Sequence, residues 1–123
     1  MGKDSLEKIL LPFNNRAMIS FDDFKKLDIR IGKIIAAERV QDTEKLLKIE
    51  IEVGTEKRQL VAGIAQSYEP DTLIGKEIPV LLNLEPRTIR GVESHGMILA
   101  AVMDGKAVLM HPDKEVPPGS IIR

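Results

Sequence analysis

Residues Leu47 to Val53 alternate without a fault: Leu47, Ile49, Ile51 and Val53 are apolar, and Lys48, Glu50 and Glu52 between them are charged. Successive side chains of an extended chain point to opposite faces, so this two-residue period predicts a β-strand with one buried and one wet side. A helix would scatter the same residues around its axis. The residues on either side fit a sheet built around that strand. Gly54-Thr55-Glu56-Lys57 reads as a turn, and Gln59-Leu60-Val61-Ala62-Gly63-Ile64 as an antiparallel return strand. Upstream, Leu27, Ile29 and Ile31 alternate with Asp28 and Arg30, and Lys33 to Ala37 continue past Gly32, which predicts a first strand bulged or bent at that glycine.

Downstream, Glu69 to Gly75 carries Pro70 near its start and a glycine at its end, the signature of a single helical turn. Ile78 to Leu84 and Gly96 to Val102 are apolar on both faces, as expected of central strands or strands at an oligomer contact. Asp104-Gly105 predicts a tight hairpin into Ala107 to Met110, and His111-Pro112 ends that run. At the other end, Ser5 can cap a short helix over 6–11, and Ser20 with Asp23 three residues on forms a capping box before Phe24. The chain thus divides into a helical leader, 1–19, and one domain, 20–123. That domain reads as all-β: a five-stranded Greek-key barrel of the oligonucleotide-binding (OB) type, with a short helix between strands three and four. An SH3-like barrel and a small sandwich are the alternatives. The final Ile121-Ile122 should pack back onto the body.

Composition narrows the function. At 123 residues the chain has length for one domain, and 43% apolar with 30% charged residues is the make-up of a folded, soluble one. No apolar run approaches the roughly 18–20 residues that cross a bilayer, and the first residues lack the pattern of a signal peptide, so the expected location is the cytoplasm, away from any membrane. Without cysteine there is no disulfide, no thiolate nucleophile and no cysteine-bound zinc. His95 and His111 stand apart, each in or beside a turn, without the further ligands that a metal site needs. No phosphate loop and no nucleophile elbow are present. The expectation is a binding protein with no catalytic residues, no metal and no cofactor.

Eighteen basic against nineteen acidic residues give a net charge of −1, so any polyanion must be held by a local cationic surface. The candidate is the stretch 83–97, where Arg87 and Arg90 stand among apolar residues between two apolar strands. Arginine forks match phosphate oxygens, Gly91 and Gly96 permit close backbone approach, Ser94 can bond phosphate or ribose, and Met97 offers an adaptable apolar contact. The competing reading is a solvated loop in which the arginines pair with Glu85 and Glu93. A second group lies between Lys25 and Lys48, with seven basic against four acidic residues. If Arg30, Lys33 and Lys48 share an outward face they form a stripe for a phosphate backbone; otherwise this is an ordinary solvated sheet. Three phenylalanines and one tyrosine are all the aromatic residues, too few for stacking successive bases of a single strand.

Leu27-Asp-Ile-Arg-Ile-Gly-Lys33-Ile, Lys45-Leu-Leu-Lys48, Gln59-Leu-Val-Ala-Gly-Ile64 and above all Arg90-Gly-Val-Glu-Ser94-His-Gly-Met97 resemble the tRNA-binding OB domain family. That family occurs at the C-terminus of many methionyl-tRNA synthetases, as free-standing structure-specific tRNA-binding proteins, and in eukaryotic synthetase-cofactor and cytokine-like proteins. The resemblance implies an OB barrel that binds tRNA by its folded shape, which suits the scarcity of aromatic residues. Carried over position by position, it implies Ser94 and Met97 at the RNA surface, with Arg30, Lys33, Lys48, Asn83, Arg87 and Arg90 around them. It also implies a homodimer joined after the barrel, here by Val108, Leu109, Met110, Ile121 and Ile122, and a role as the stand-alone beta-type subunit assisting a methionyl-tRNA synthetase catalytic subunit. Gln41-Asp-Thr-Glu44 and Thr88 depart from the family pattern, and 1–19 has no counterpart in the shortest members. One branch of the superfamily resembles chaperones of secretory chains and lacks the arginine-glycine loop; a scaffold subunit docking through its leader is the remaining alternative.

Overall fold

The computed structural model describes residues 17–123, so the expected helix over 6–11 and most of the 1–19 leader lie outside the described residues. The first element is a short helix, α1 (Phe21–Lys25), started as the sequence implies: the Ser20 Oγ accepts from the Asp23 N–H at 3.0 Å. The Asp23 carboxylate does not close the box; it takes the Lys26 ammonium at 3.0 Å instead.

Nine strands follow, β1 (Ile29–Arg39), β2 (Leu47–Val53), β3 (Glu56–Ala62), β4 (Glu77–Leu81), β5 (Arg87–Ile89), β6 (Val92–Ser94), β7 (Met97–Ile98), β8 (Ala100–Met103) and β9 (Lys106–Leu109). The largest sheet is antiparallel, in the order β3-β2-β1-β4-β7, and it curls so that β3 also packs against β6 and β7. β5 with β6, and β8 with β9, form separate hairpins. The molecule is therefore mostly β with short helical pieces. Among the described residues no helix is long and apolar enough to cross a membrane.

β2 is the central strand that its alternation demands: Leu47, Ile49, Ile51 and Val53 are buried, and the charged residues between them lie on the other face. The turn to β3 is tighter than the sequence suggests. Gly54, at φ 66°, permits a two-residue connection, so β3 starts at Glu56 rather than Gln59. The core gathers Ile34, Leu47, Ile49, Ile51, Leu60, Ile78 and Val80, and Leu73, from a 3-10 turn at Pro70–Leu73, fills it from between β3 and β4. Each such side chain contributes about 1.5–3 kcal/mol by leaving water.

Two expectations need correction. β1 does not bulge at Gly32; its register slips between Ile34 and Ala36. Gly32 serves packing instead, since a Cβ there would stand 2.8 Å from Ile51 Cδ1 across the interior. The run from Gly96 to Val102 is not one strand either. At Leu99, whose N–H bonds the Pro79 carbonyl at 3.0 Å, the chain leaves β4 and turns into the β8–β9 hairpin. Its Asp104-Gly105 turn is formed as expected, both residues having positive φ.

The C-terminal residues do fold back. Where β2 does not reach, Gly119 N–H bonds the Ile31 carbonyl at 2.7 Å and Ile122 N–H bonds the Ile29 carbonyl at 2.9 Å, so this segment completes the start of β1. Glu77 anchors the approach: its buried carboxylate accepts the Val116 N–H at 2.9 Å, and His111 Nδ1 donates to its carbonyl at 2.7 Å.

The Gly32 contact sets a packing test. Gly32→Ala should cost about 1–3 kcal/mol of stability by overpacking, and Ile51→Val about 0.5–1.5 kcal/mol. Because Ile51→Val removes the atom that the new methyl would strike, urea melts of the double variant should show a loss well below the sum.

Candidate nucleic-acid interface

The stretch 83–97 is more than a loop. Arg87, Thr88 and Ile89 pair with Ser94, Glu93 and Val92, and the turn between them is Arg90-Gly91, with φ of 54° and 78°. A two-residue turn with both φ values positive matches the right-handed twist of the strands, and it ordinarily selects Asn or Asp followed by Gly. An arginine held there carries about 1–2 kcal/mol of left-handed strain. Hairpin formation does not call for arginine at this position, so the strain points to a use for its side chain.

Arg90 lines a cleft of about 610 Å³ together with Glu38, Arg39, Gln41, Asp42 and Lys48. The end of β1, the β1–β2 connection and the β5–β6 tip thus converge on one place. Arg87 is exposed on the same hairpin. The solvated-pair reading is not what the structure holds: the Glu93 carboxylate lies 3.0 Å from His95 Nε2, and among the described residues neither Arg87 nor Arg90 has an ion pair. Two other cations at the cleft are paired, Lys48 with Glu38 at 2.6 Å and Arg39 with Glu69 at 3.1 Å. Such exposed pairs are worth about 0–1 kcal/mol, so a phosphate can displace either carboxylate at small cost.

The other expected residues take different places. Arg30, Lys33 and Lys48 do not form one stripe: Arg30 and Lys33, three apart on an unbroken strand, face opposite sides, and Lys33 shares the outer face with Lys48 but has Glu50 and Glu52 between. Arg30 is in register with the buried Val80, and its guanidinium pairs with Asp28 at 2.8 Å, whereas Lys33 is in register with Glu52 and Glu77. The outer face around Lys33 also carries Glu50, Glu52 and Lys57, a balanced set without a positive field.

Ser94 lies beneath the surface at 5% exposure. Its Oγ accepts the Val61 N–H at 3.0 Å and donates to the Gly96 carbonyl at 3.1 Å. Asn83 is committed too, its Oδ1 accepting the Asp28 N–H at 2.8 Å and its Nδ2 donating to the Lys26 carbonyl at 2.6 Å. Met97 is half exposed but lines a separate cleft of about 220 Å³ with Val61, Gly63 and Ala107. Arg39 and Gln41 are among the cleft residues that the sequence reading left out of its site. They stand some fifty positions from Arg90, and only the curl of the sheet brings them together.

Of the residues expected to join two copies, Val108, Met110 and Ile121 are exposed, as are Val102 and Met103 beside them. Leu109 is not available: it is buried in the core of its own chain, with its N–H on the Tyr68 hydroxyl at 3.0 Å. Ile122 is half-buried against β1.

A curled β-domain that offers two unpaired arginines on a hairpin over a polar cleft has the equipment to grip a polyanion. Comparison with known proteins names the kind. A sequence profile of the family described as "Putative tRNA binding domain" matches residues 29–121. Methionine–tRNA ligase of Archaeoglobus fulgidus is 57% identical over 102 residues, covering 83% of this chain and 16% of the ligase. That of Methanococcoides burtonii is 46% identical, covering 98% of this chain and 18% of the ligase. The chain thus spans less than a fifth of the length of these relatives. Among solved structures, a methionyl-tRNA-synthetase-related protein from Pyrococcus horikoshii has a TM-score of 0.83 at 36% identity, covering 88% of this chain and 100% of that one. The chaperone CsaA from Bacillus anthracis has a TM-score of 0.80 at 35% identity, covering 87% of this chain and 100% of that one. The chain belongs to the tRNA-binding domain family, and it is homologous to a portion of methionyl-tRNA synthetases.

The strained turn separates folding from binding. Arg90→Asn should leave the hairpin intact and raise stability by up to about 1 kcal/mol, because asparagine tolerates the left-handed region. The same change should weaken RNA binding, and a thermal melt with a titration on one sample reads both effects.

Proposed function

We propose that this chain is a non-catalytic, structure-specific tRNA-binding protein built on a five-stranded OB barrel, acting in the cytoplasm as the stand-alone beta-type subunit that assists methionyl-tRNA synthetase. The observation that carries the reading is the β5–β6 hairpin, which bears Arg87 and Arg90 without ion pairs among the described residues and puts Arg90 in the cleft lined by Arg39 and Lys48. Family membership supplies the ligand class, and full coverage of the Pyrococcus horikoshii protein supports a chain of this one fold acting by itself.

The recognition mode follows from what surrounds the cleft. Phe21 and Phe24 belong to α1 and Tyr68 packs against the core, so no described aromatic ring lines the cleft. A surface of this kind suits the phosphates and 2′-hydroxyls of a folded RNA better than splayed bases. Within it, Arg87, Arg90 and Lys48 contact the RNA, Ser94 and Asn83 hold the segment that carries the arginines, and Met97 forms an apolar margin. Arg30 and Lys33 are peripheral.

The exposed Val102, Met103, Val108, Met110 and Ile121 support a homodimer, with Leu109 and Ile122 packed behind them. Two copies present two cationic hairpins, which helps a near-neutral chain hold a large polyanion. A second reading, a chaperone for unfolded chains, is favoured by the likeness to CsaA. The strained Arg90-Gly91 turn and the cations of its hairpin are of more use to an RNA than to an unfolded chain, which supports the tRNA reading.

Filter binding decides between them. The protein should prefer folded tRNA to a single strand or duplex of matched length, in a particle of twice the chain mass by light scattering. Arg90→Ala should cost about 1–3 kcal/mol of affinity and lower the salt slope by about one phosphate contact. Equal binding to all RNAs would dismiss shape recognition. Suppression of aggregation of a model protein, indifferent to added tRNA, would favour the chaperone.

A further inference from the structure

The hairpin that bears Arg87 and Arg90 leaves the sheet after β4 and returns before β7, so its placement depends on whatever holds those two points. Both are held by one side chain. The Arg58 Nη1 donates to the Leu82 carbonyl at 2.6 Å and to the His95 carbonyl at 3.3 Å. Leu82 lies where the chain departs from the barrel, and His95 where it comes back. The rest of the guanidinium is oriented by Glu56, whose two carboxylate oxygens each accept at 3.3 Å, one from Nε and one from Nη2. Only 27% of the Arg58 side chain is exposed, and it lies outside the cleft that Arg90 lines.

The neighbouring residues of β3 continue the attachment. The Gln59 carbonyl accepts the His95 N–H at 2.9 Å, and the Gln59 Nε2 donates to the Glu93 carbonyl at 2.8 Å. These bonds fix the returning strand alone. Arg58 is the described side chain that joins both feet of the hairpin to each other and to β3.

We propose that Arg58 is a positioning residue for RNA binding: its fork, aimed by Glu56, sets where Arg87 and Arg90 stand, and it does not itself touch the RNA. The proposal rests on the tRNA-binding reading above and goes on to name the part that holds the site in place. A planar fork with donors on several edges can serve two carbonyls and a carboxylate together; a lysine ammonium on a flexible stem keeps the charge and lacks that geometry.

The experiment compares the full chain with Arg58→Lys, Glu56→Ala and Arg90→Ala, in tRNA titrations at several salt concentrations well below each melting temperature, with amide hydrogen exchange at His95 on the same samples. Arg58→Lys and Glu56→Ala should weaken tRNA binding by on the order of tenfold, as losses of supporting residues do. Their salt slope should match the parent, because no phosphate contact is lost, whereas Arg90→Ala should lower it by about 0.7–0.9. Exchange at His95 should speed up in the first two variants only. The proposal is overturned if Arg58→Lys binds and exchanges like the parent, if Arg58→Lys lowers the salt slope as Arg90→Ala does, or if exchange rises while affinity holds. Were the parent protein to show no preference for tRNA, the functional reading would fail; unchanged exchange at His95 would then show separately that Arg58 does not hold the hairpin.

Discussion

β3 is hydrogen-bonded along two edges, and the candidate site depends on the second. One edge runs in unbroken register with β2, from Leu47 opposite Ala62 to Val53 opposite Glu56. The other receives the returning hairpin through Gln59, Val61 and the Arg58 guanidinium. Because β2 lies between β1 and β3 and fills the core with Leu47, Ile49 and Ile51, the hairpin is fastened to the most buried part of the molecule. A binding group carried on such a support loses little entropy when the ligand arrives, which favours recognition of a ligand with a shape of its own.

The charge distribution explains how a chain of net −1 can take a polyanion. Several cations beside or behind the cleft are matched by a neighbouring carboxylate, as in Arg30 with Asp28, Lys48 with Glu38 and Arg39 with Glu69. The sheet face around Lys33 is balanced as well. On the β5–β6 hairpin Arg87 and Arg90 stand without an ion pair among the described residues, and at physiological salt the field of two such groups reaches only about 8 Å. On the proposed reading, an RNA is held according to how closely it can approach the hairpin tip.

What could be read from the residues follows from how local each signal is. The β2–β3 hairpin, the Asp104-Gly105 turn, the Pro70 turn and the Ser20 cap are written in neighbouring residues, and all of them formed. Gly32 misled because a glycine in a strand marks either a bulge or a close approach, and only the position of Ile51 across the sheet decides between them. The β5–β6 hairpin was hidden because arginine is a poor residue for its turn. Ser94 and Asn83 read as surface groups since nothing nearby shows that the backbone of Val61, Asp28 and Lys26 will claim them. Arg39 and Arg58 carry no local mark of their role; Arg39 enters the cleft, and Arg58 reaches both feet of the hairpin, only through contacts distant in the chain.

The central claim is that RNA is held at the hairpin and cleft and not across the outer face of the sheet. An NMR titration of the labelled protein with folded tRNA, following backbone amides, tests it most directly. The account predicts shifts or line broadening concentrated at residues 38–42, 48 and 87–92, with Lys33, Glu50, Glu52 and Lys57 little changed. Perturbation centred on those outer-face residues, with the hairpin silent, would contradict it.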